Sequence, residues 1–500
     1  MKGISTSLEL IVLSVLAVAL TFGAIYIVLN QTSLSGLNVM ISHSSLLQDE
    51  ISLTLKNVGL TNIHEVYVVS LHDRDGRDLL HGGKFFQENP VQVNVSPGQD
   101  ATVNFVITAP VFHGKSVAQN VVEGNFPLGS SVQRKVFFVN GVHIVFYVDS
   151  SSRIVYRTSL NGLDWSQPNI ILGNVAGGQT FSVFVFENFL HFAYASGVKG
   201  EPLKYCMGTV YPNGTILWNP MQNAVPGDNR KSYAVPCVAV DSDGYPWIVC
   251  VSSDGVVAVK SSTKNGVWTT EAGFPYIVEG NPSTNVQATI VPLSDKKMYV
   301  AWYSPNTKLS GRLWSGQTFG PEEDISHNVP VSKVSLSATS YGDRVYVAYT
   351  MYAKEDLVYL SSRVDNGWST PEAVVSNITP PTHLSTTATC DGGVYVYWTT
   401  YNGSNYILGC RFKGTDGGWT EVITLDSSSK DEIYAVSSSY QESGNIVPVA
   451  YCRSNTIQYL YFNTVPNIRA FYPYTITVCV KDDLGNSRTV QFKVESYFSS

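Results

Sequence analysis

Met298-Tyr-Val-Ala-Trp302, Val345-Tyr-Val-Ala-Tyr349 and Val394-Tyr-Val-Tyr-Trp398 are copies of one short apolar stretch. His143-Ile-Val-Phe-Tyr147, Leu190-His-Phe-Ala-Tyr194, Pro246-Trp-Ile-Val-Cys250 and Val447-Pro-Val-Ala-Tyr451 bring the number to seven, recurring every 47 to 56 residues. Each is rich in β-branched and aromatic residues, as strands are. An apolar strand and a tight turn come before it, as at Asn140-Gly141, Asp241-Ser-Asp-Gly244, Tyr341-Gly-Asp343 and Asp391-Gly-Gly393, and a third strand comes after. A unit of several short strands repeated at this period reads as one blade of a β-propeller. Seven copies predict seven blades over residues 116–466.

Most copies then carry a Gly-containing turn leading to an aromatic ring: Asn161-Gly162 before Trp165, Asn213-Gly214 before Trp218, Asn265-Gly266 before Trp268, Asn366-Gly367-Trp368 and Gly417-Gly418-Trp419. These resemble degenerate Asp-boxes of sialidase-like propellers, in which a turn between the third and fourth strands is pinned by an aromatic residue. They read as blade-stabilising turns. The seventh copy runs to 457–462 and reaches Pro466 without a fourth strand. An open edge of this kind calls for a partner, and 116–122 is placed to supply it.

Outside the repeat, residues 37–42, 51–57, 66–72, 91–95 and 101–108 alternate apolar and polar side chains between turn signals such as Pro97-Gly98. They predict a small β-sandwich that stops at Pro110 with too few strands. A further hairpin, 474–480 and 489–494 around Asp482-Asp483-Leu484-Gly485-Asn486, stands at the other end of the chain. The strand end KNVG (56–59), the stretch VSPGQDATVNFVIT (95–108) and the closing YTITVCVKDDLGNSRTVQFKV (474–494) together resemble the head domain of archaeal pilins. That resemblance implies a discontinuous Ig-like head, 36–110 plus 467–498, with the propeller inserted into one of its loops. Insertion requires the insert's termini to lie close together, which a ring closed by its own first strand provides.

The segment Met1–Asn30 holds twenty uncharged residues from Leu10 to Leu29, enough at ~1.5 Å per helical residue to cross about 30 Å of hydrocarbon. The leader Met1-Lys2-Gly3 followed by Ile4, Glu9 and the apolar run resembles the class III signal of type IV pilins. The resemblance implies cleavage between Gly3 and Ile4, a retained helix over 4–30, a part for Glu9 in helix assembly, and the membrane or other pilin subunits as partners. Glu9 in a first helical turn also suits the helix dipole.

Charged residues are 14% of the chain and the net charge is −7, so the sequence carries no basic footprint for nucleic acid. Seven cysteines lie scattered without CxxC spacing, which argues against zinc and for buried thiols. Cys237 and Cys250 flank one hairpin and face each other only if its loop has four residues. Sequons at Asn94, Asn213, Asn377 and Asn402 are candidate glycan acceptors in an exported chain, and another starts at Asn30.

Sialidases bring three arginines onto a carboxylate, a Tyr–Glu pair and an acidic acid/base. Gln133-Arg134-Lys135 is the closest approach to an arginine motif opening the first blade, so no catalytic residue is assigned and the chain is read as a non-enzyme. Asp431-Glu432 and Glu322-Glu323 read as linker charges, since glycoside hydrolysis needs carboxylates set at a defined separation across a pocket. The acidic turns at 73–78 and 241–244 read as hairpin turns, the first lacking the length and distal Glu of a calcium loop, and no metal or cofactor is expected. The linkers between blades carry Arg134, Arg230, Lys231, Lys333, His383, Asp431 and Glu432, with Tyr and Trp abundant nearby, a mixture suited to sugars or protein surfaces. The expectation is a cell-surface, pilin-like adhesin, membrane-anchored or in an extracellular filament, whose propeller binds a glycan or a surface protein. The alternatives are a membrane-anchored sialidase-like glycosidase and a structural filament subunit whose propeller is decoration.

Overall fold

The computed structural model describes residues 36–46, 50–72, 89–106, 115–119, 127–160, 162, 164–280, 286–303, 308–327, 335–351, 357–364, 367–376, 378–379, 383–415, 417–420, 422–443, 446–454, 458–466 and 474–494. Gly3, Ile4, Glu9, the rest of the 4–30 segment, the acidic turn at 73–78, Lys333 and Asn377 lie outside them. Among the described residues the chain is almost wholly β, and no helix is long and apolar enough to cross a membrane. Two compact units divide it, Met1–Val111 with Ile468–Ser500, and Phe112–Asn467.

The first unit is a pair of antiparallel sheets. Val39–Leu46, Glu50–Asn57 and Asp100–Val106 form one. Ser487–Val494, Tyr474–Asp482, Ile63–His72 and Val91–Val95, in that order, form the other. Tyr474–Asp482 of the C-terminal hairpin therefore lies inside its sheet, with Val66 opposite Val480 and Tyr67 opposite Cys479. Alternation along the strands sends Ile51, Leu53, Leu55, Val66, Val68, Phe105, Ile476, Val478 and Phe492 into one shared core. Asn57 is buried and donates to the carbonyls of Thr61 and Val95 (2.8 and 2.7 Å), which fixes the corner after its strand.

The second unit contains seven sheets built in succession. The first runs Val136–Val139, Val142–Val148, Ile154–Ser159 and Asn169–Leu172, and each later sheet repeats this up-and-down order. The strands that begin the sheets, Val136–Val139, Phe181–Phe186, Tyr233–Val240, Gln287–Pro292, Leu336–Tyr341, Leu384–Ala388 and Glu432–Ser438, pack one on the next around an axis. This is the arrangement of a seven-bladed β-propeller. The repeated apolar stretch forms the second strand of every blade. Adjoining blades cover both of its faces, so Val142–Val148 and Met298–Tyr303 are buried at every position, and an unbroken apolar run replaces strict alternation.

Blade seven has only three strands from its own repeat: Glu432–Ser438, Ile446–Ser454 and Gln458–Pro466. Lys115–Gln119 supplies the fourth by pairing antiparallel with Gln458–Pro466, Ala118 opposite Leu460. The turn aromatics bind blades one to six each to the blade before it in the ring. Trp218 packs on Phe146 and Tyr156, Trp268 on Tyr205, and Trp165 on Phe462. Trp368 donates to Glu323 (2.9 Å) and Trp419 to Glu372 (3.2 Å). Blade four uses Trp314 against Trp247 in the same way. Asp241 spends its carboxylate on its own turn, accepting from the amides of Asp243 and Tyr245 and from Trp247 Nε1.

Cys206, Cys237, Cys250, Cys410, Cys452 and Cys479 are buried free thiols. The loop between the strands that carry Cys237 and Cys250 has five residues, 241–245, and a bulge after Ala234 sets Cys237 opposite Val249.

Two histidines are buried and a third is half-buried: His143 between Phe138 and Phe462, His191 bonded to Tyr205 Oη at 2.7 Å, and His383 at the start of blade six. Burial pushes their pKa values down, to about 4, about 3 and about 4. The unfolded chain binds these protons near pH ~6.5 while the folded chain does not, so the stabilisation is present above that pH and is lost as pH falls toward 4. Equilibrium urea unfolding is expected to weaken by about 1.4 kcal/mol per pH unit for each histidine across this window. His143→Phe is expected to flatten the slope; an unchanged slope would contradict the assignment.

Candidate functional site

The axis of the propeller is filled by the chain's own segment 128–135. Gln133 Nε2 donates to the carbonyls of Gln179 (3.0 Å) and Pro236 (2.7 Å), in blades two and three. Ser131 meets Ser335 Oγ at 2.7 Å and accepts the amide of Leu384 at 3.1 Å. Arg134 reaches blades five and six: Nη1 donates to Ser337 Oγ (3.0 Å) and Ser385 Oγ (2.7 Å), Nη2 to the Ala338 carbonyl (2.6 Å) and Thr386 Oγ1 (3.0 Å). All four terminal N–H groups are used, on neutral acceptors. Burial lowers the guanidinium pKa to about 10. Lys135 Nζ donates to the Phe181 carbonyl and to Gln133 Oε1, 3.4 Å from the centre of the Phe181 ring, and burial holds its pKa well below the ordinary lysine value.

Two inner strands bend to meet this segment. Val235 (φ 47°) and Ala435 (φ 54°) sit at bulges in blades three and seven, beside the Pro236 carbonyl that holds Gln133 and the Ser437 hydroxyl that accepts the Lys135 amide. A β-branched residue at positive φ costs on the order of 1–3 kcal/mol, offset here by hydrogen bonds across the axis. At the other end of the axis Tyr440 is buried, its carbonyl accepting Thr339 Oγ1 and its ring 5.0 Å from Phe184.

With the axis occupied, the loop ends of the blade seams are what the propeller presents. The seam between blades six and seven brings charged and aromatic side chains together. Arg453, just past the second strand's repeated stretch, lies with Nη2 3.1 Å from Asp431 and Nη1 3.5 Å from Asp426. Its Nε has no acceptor among the described residues. Asp426 also accepts the Tyr451 hydroxyl at 2.5 Å. The guanidinium stands 5.2 Å from the centre of the half-buried Tyr461 ring, and Tyr459 flanks Tyr461 at 6.2 Å. Across the seam Tyr401 and Tyr406, both half-buried, hold their rings 4.8 Å apart at the base of the hairpin loop 402–405.

The linker residues singled out in the sequence fall in four places. Arg134 is buried in the axis and His383 is half-buried at the start of blade six. Arg230 is exposed and Lys231 pairs with Asp254 at 2.7 Å, both between blades two and three. Asp431 and Glu432 are the two that share a seam, with Asp431 on Arg453 and Glu432 exposed. Sequence reading passed over Arg453, Tyr461, Tyr401 and Tyr406. Arg453 left a signal: two positions past the repeated stretch, where Asp149, Ser196 and Ser252 stand in blades one to three, it is an arginine. The sequons at Asn94, Asn213 and Asn402 are exposed. Among the described residues no three His, Cys, Asp or Glu side chains are placed to share a metal.

No family model and no curated protein matches the chain. Solved structures do. A polysaccharide lyase, the PL25 ulvan lyase bound to -[GlcA(1-4)Rha3S]-, aligns with a TM-score of 0.53 at 11% identity over 70% of this chain and 95% of its own. The BP39L lectin from Burkholderia pseudomallei aligns at 0.49, with 12% identity over 73% and 99%. A mutant NanB sialidase from Streptococcus pneumoniae aligns at 0.38, with 12% identity over 76% of each chain. The likeness to the lyase is one of fold.

Arg134→Ala removes the four bonds that tie the axis to Ser337 and Ala338 of blade five and to Ser385 and Thr386 of blade six. It is expected to lower unfolding stability by about 3–5 kcal/mol, measured by urea titration of the full chain; a change under about 1 kcal/mol would contradict a structural part for Arg134.

Proposed function

We propose that the chain is a cell-surface glycan-binding protein, with the sandwich as the head behind an N-terminal anchor or filament helix and the propeller as the binding module. The observation that carries this reading is the seam of blades six and seven: tyrosine faces on both sides of an arginine held by two carboxylates, at the loop end of the propeller. Aromatic faces cover the apolar C–H surfaces of a sugar ring, while carboxylate and guanidinium groups bond its hydroxyls. Support comes from a sugar-bound structure of related fold. The filled axis and the engaged Arg134 give a sialidase-type carboxylate clamp no terminal N–H at that position. The pilin-like leader and the split sandwich support display outside the cell.

In a glycan array probed with the full chain, Tyr461→Ala and Tyr401→Ala are expected to weaken binding about tenfold or more, the ring contribution being on the order of 1 kcal/mol each beyond lost area, with the thermal midpoint little changed. Array binding indifferent to both substitutions would overturn the seam as the site. Mass spectrometry of the exported protein is expected to place the mature N-terminus at Ile4; an intact Met1 would contradict pilin-type processing.

A further inference from the structure

Resting on the seam as the glycan site, we propose that its ligand is an uncharged glycan and that the seam discriminates against sulfated and uronate-bearing chains. Recognition of an anionic sugar calls for a cationic side chain with donors to spare. Arg453 is the guanidinium facing the tyrosines; its two terminal nitrogens each lie against a carboxylate, and its Nε, which has no acceptor among the described residues, is buried and out of a ligand's reach. An anionic group reaching Arg453 displaces Asp431 or Asp426 from it. The Asp426 side chain is only 8% exposed, so parting it from Arg453 leaves a buried carboxylate without its cation, a costly outcome.

The remaining charges point the same way. Glu432 and Lys430, both exposed, add one charge of each sign. Asp426, Asp431 and Glu432 against Arg453 and Lys430 leave one net negative charge at the seam. The facing loop 402–405, Asn-Gly-Ser-Asn, adds none. A neutral sugar asks for nothing the seam lacks. Its hydroxyls donate to carboxylate oxygens that keep spare lone pairs while paired with Arg453, and the tyrosines meet its C–H faces.

The test is the full chain on an array bearing neutral oligomannose and chito-oligosaccharide probes beside sulfated and uronate-bearing ones, with Tyr461→Ala as the seam control and Asp431→Asn with Glu432→Gln as the charge variant. The expected result is binding to neutral probes only, lost in Tyr461→Ala and changed less than about twofold when salt rises from about 0.05 to 0.5 M. The charge variant is expected to gain about tenfold or more for sulfated probes, through an Arg453 released from Asp431. Sulfated or uronate probes bound by the unmodified chain and lost in Tyr461→Ala would overturn this inference and leave the seam as a glycan site. Absence of binding to every probe, or binding that Tyr461→Ala leaves intact, would overturn both.

Discussion

Everything in the propeller depends on one strand pairing, Lys115–Gln119 against Gln458–Pro466. Without it the ring ends in an unpaired edge at blade seven, and a three-stranded last blade meets a complete first one. The pairing buries Val117 and Ala118 beside Leu460 and Phe462, in the cluster that also holds Val136, Val145 and Val155 of blade one. Because its two strands come from opposite ends of the unit, closure brings the entry and exit of the insert together. That geometry lets a sandwich loop carry an insertion of this size without separating the strands on either side of it.

The same pairing reaches the proposed site. Its register shifts between Leu460 and Tyr461, and Tyr461 is the ring beside Arg453. In the axis Ser131, Gln133, Arg134 and Lys135 tie together blades two, three, five, six and seven. Residues that look like an exposed basic linker in sequence are thus the internal fastening of the ring, and the surface left for recognition lies at the seams. Inter-blade carboxylates follow one pattern: Glu323, Glu372 and Asp426, each in the outermost strand of one blade, accept from the next blade's Arg363 and Trp368, Lys413 and Trp419, or Tyr451 and Arg453. In the last of these the pair opens beside two tyrosines, and a structural strut becomes part of a surface with recognition chemistry.

The strands that make the blades were legible because burial on both faces leaves a strong signal: Met298–Tyr303 and Val142–Val148 admit little but apolar and aromatic residues. The turn aromatics were legible for a similar reason, since a tryptophan after Asn-Gly marks a fixed place in the blade. The axis was not. Segment 128–135 has no periodicity, and its partners are serine and threonine hydroxyls scattered over distant blades, such as Ser337, Ser385 and Thr386, whose types are as common on surfaces. Arg134 reads as a ligand-binding linker residue, and the structure buries it on neutral acceptors where a carboxylate would be the usual partner. At the seam, Asp431 and Glu432 drew notice as a linker pair, whereas Arg453 and Tyr461 sit inside strands whose alternation masks them.

Native-state hydrogen exchange across Lys115–Gln119 tests ring closure most directly. If the pairing closes the propeller, the ladder amides of this strand open with free energies close to those of Ile446–Ser454 in the same blade, because both are lost only when the ring opens. Exchange at Lys115–Gln119 at the rate of an unstructured peptide, with Ile446–Ser454 still protected, would contradict the account.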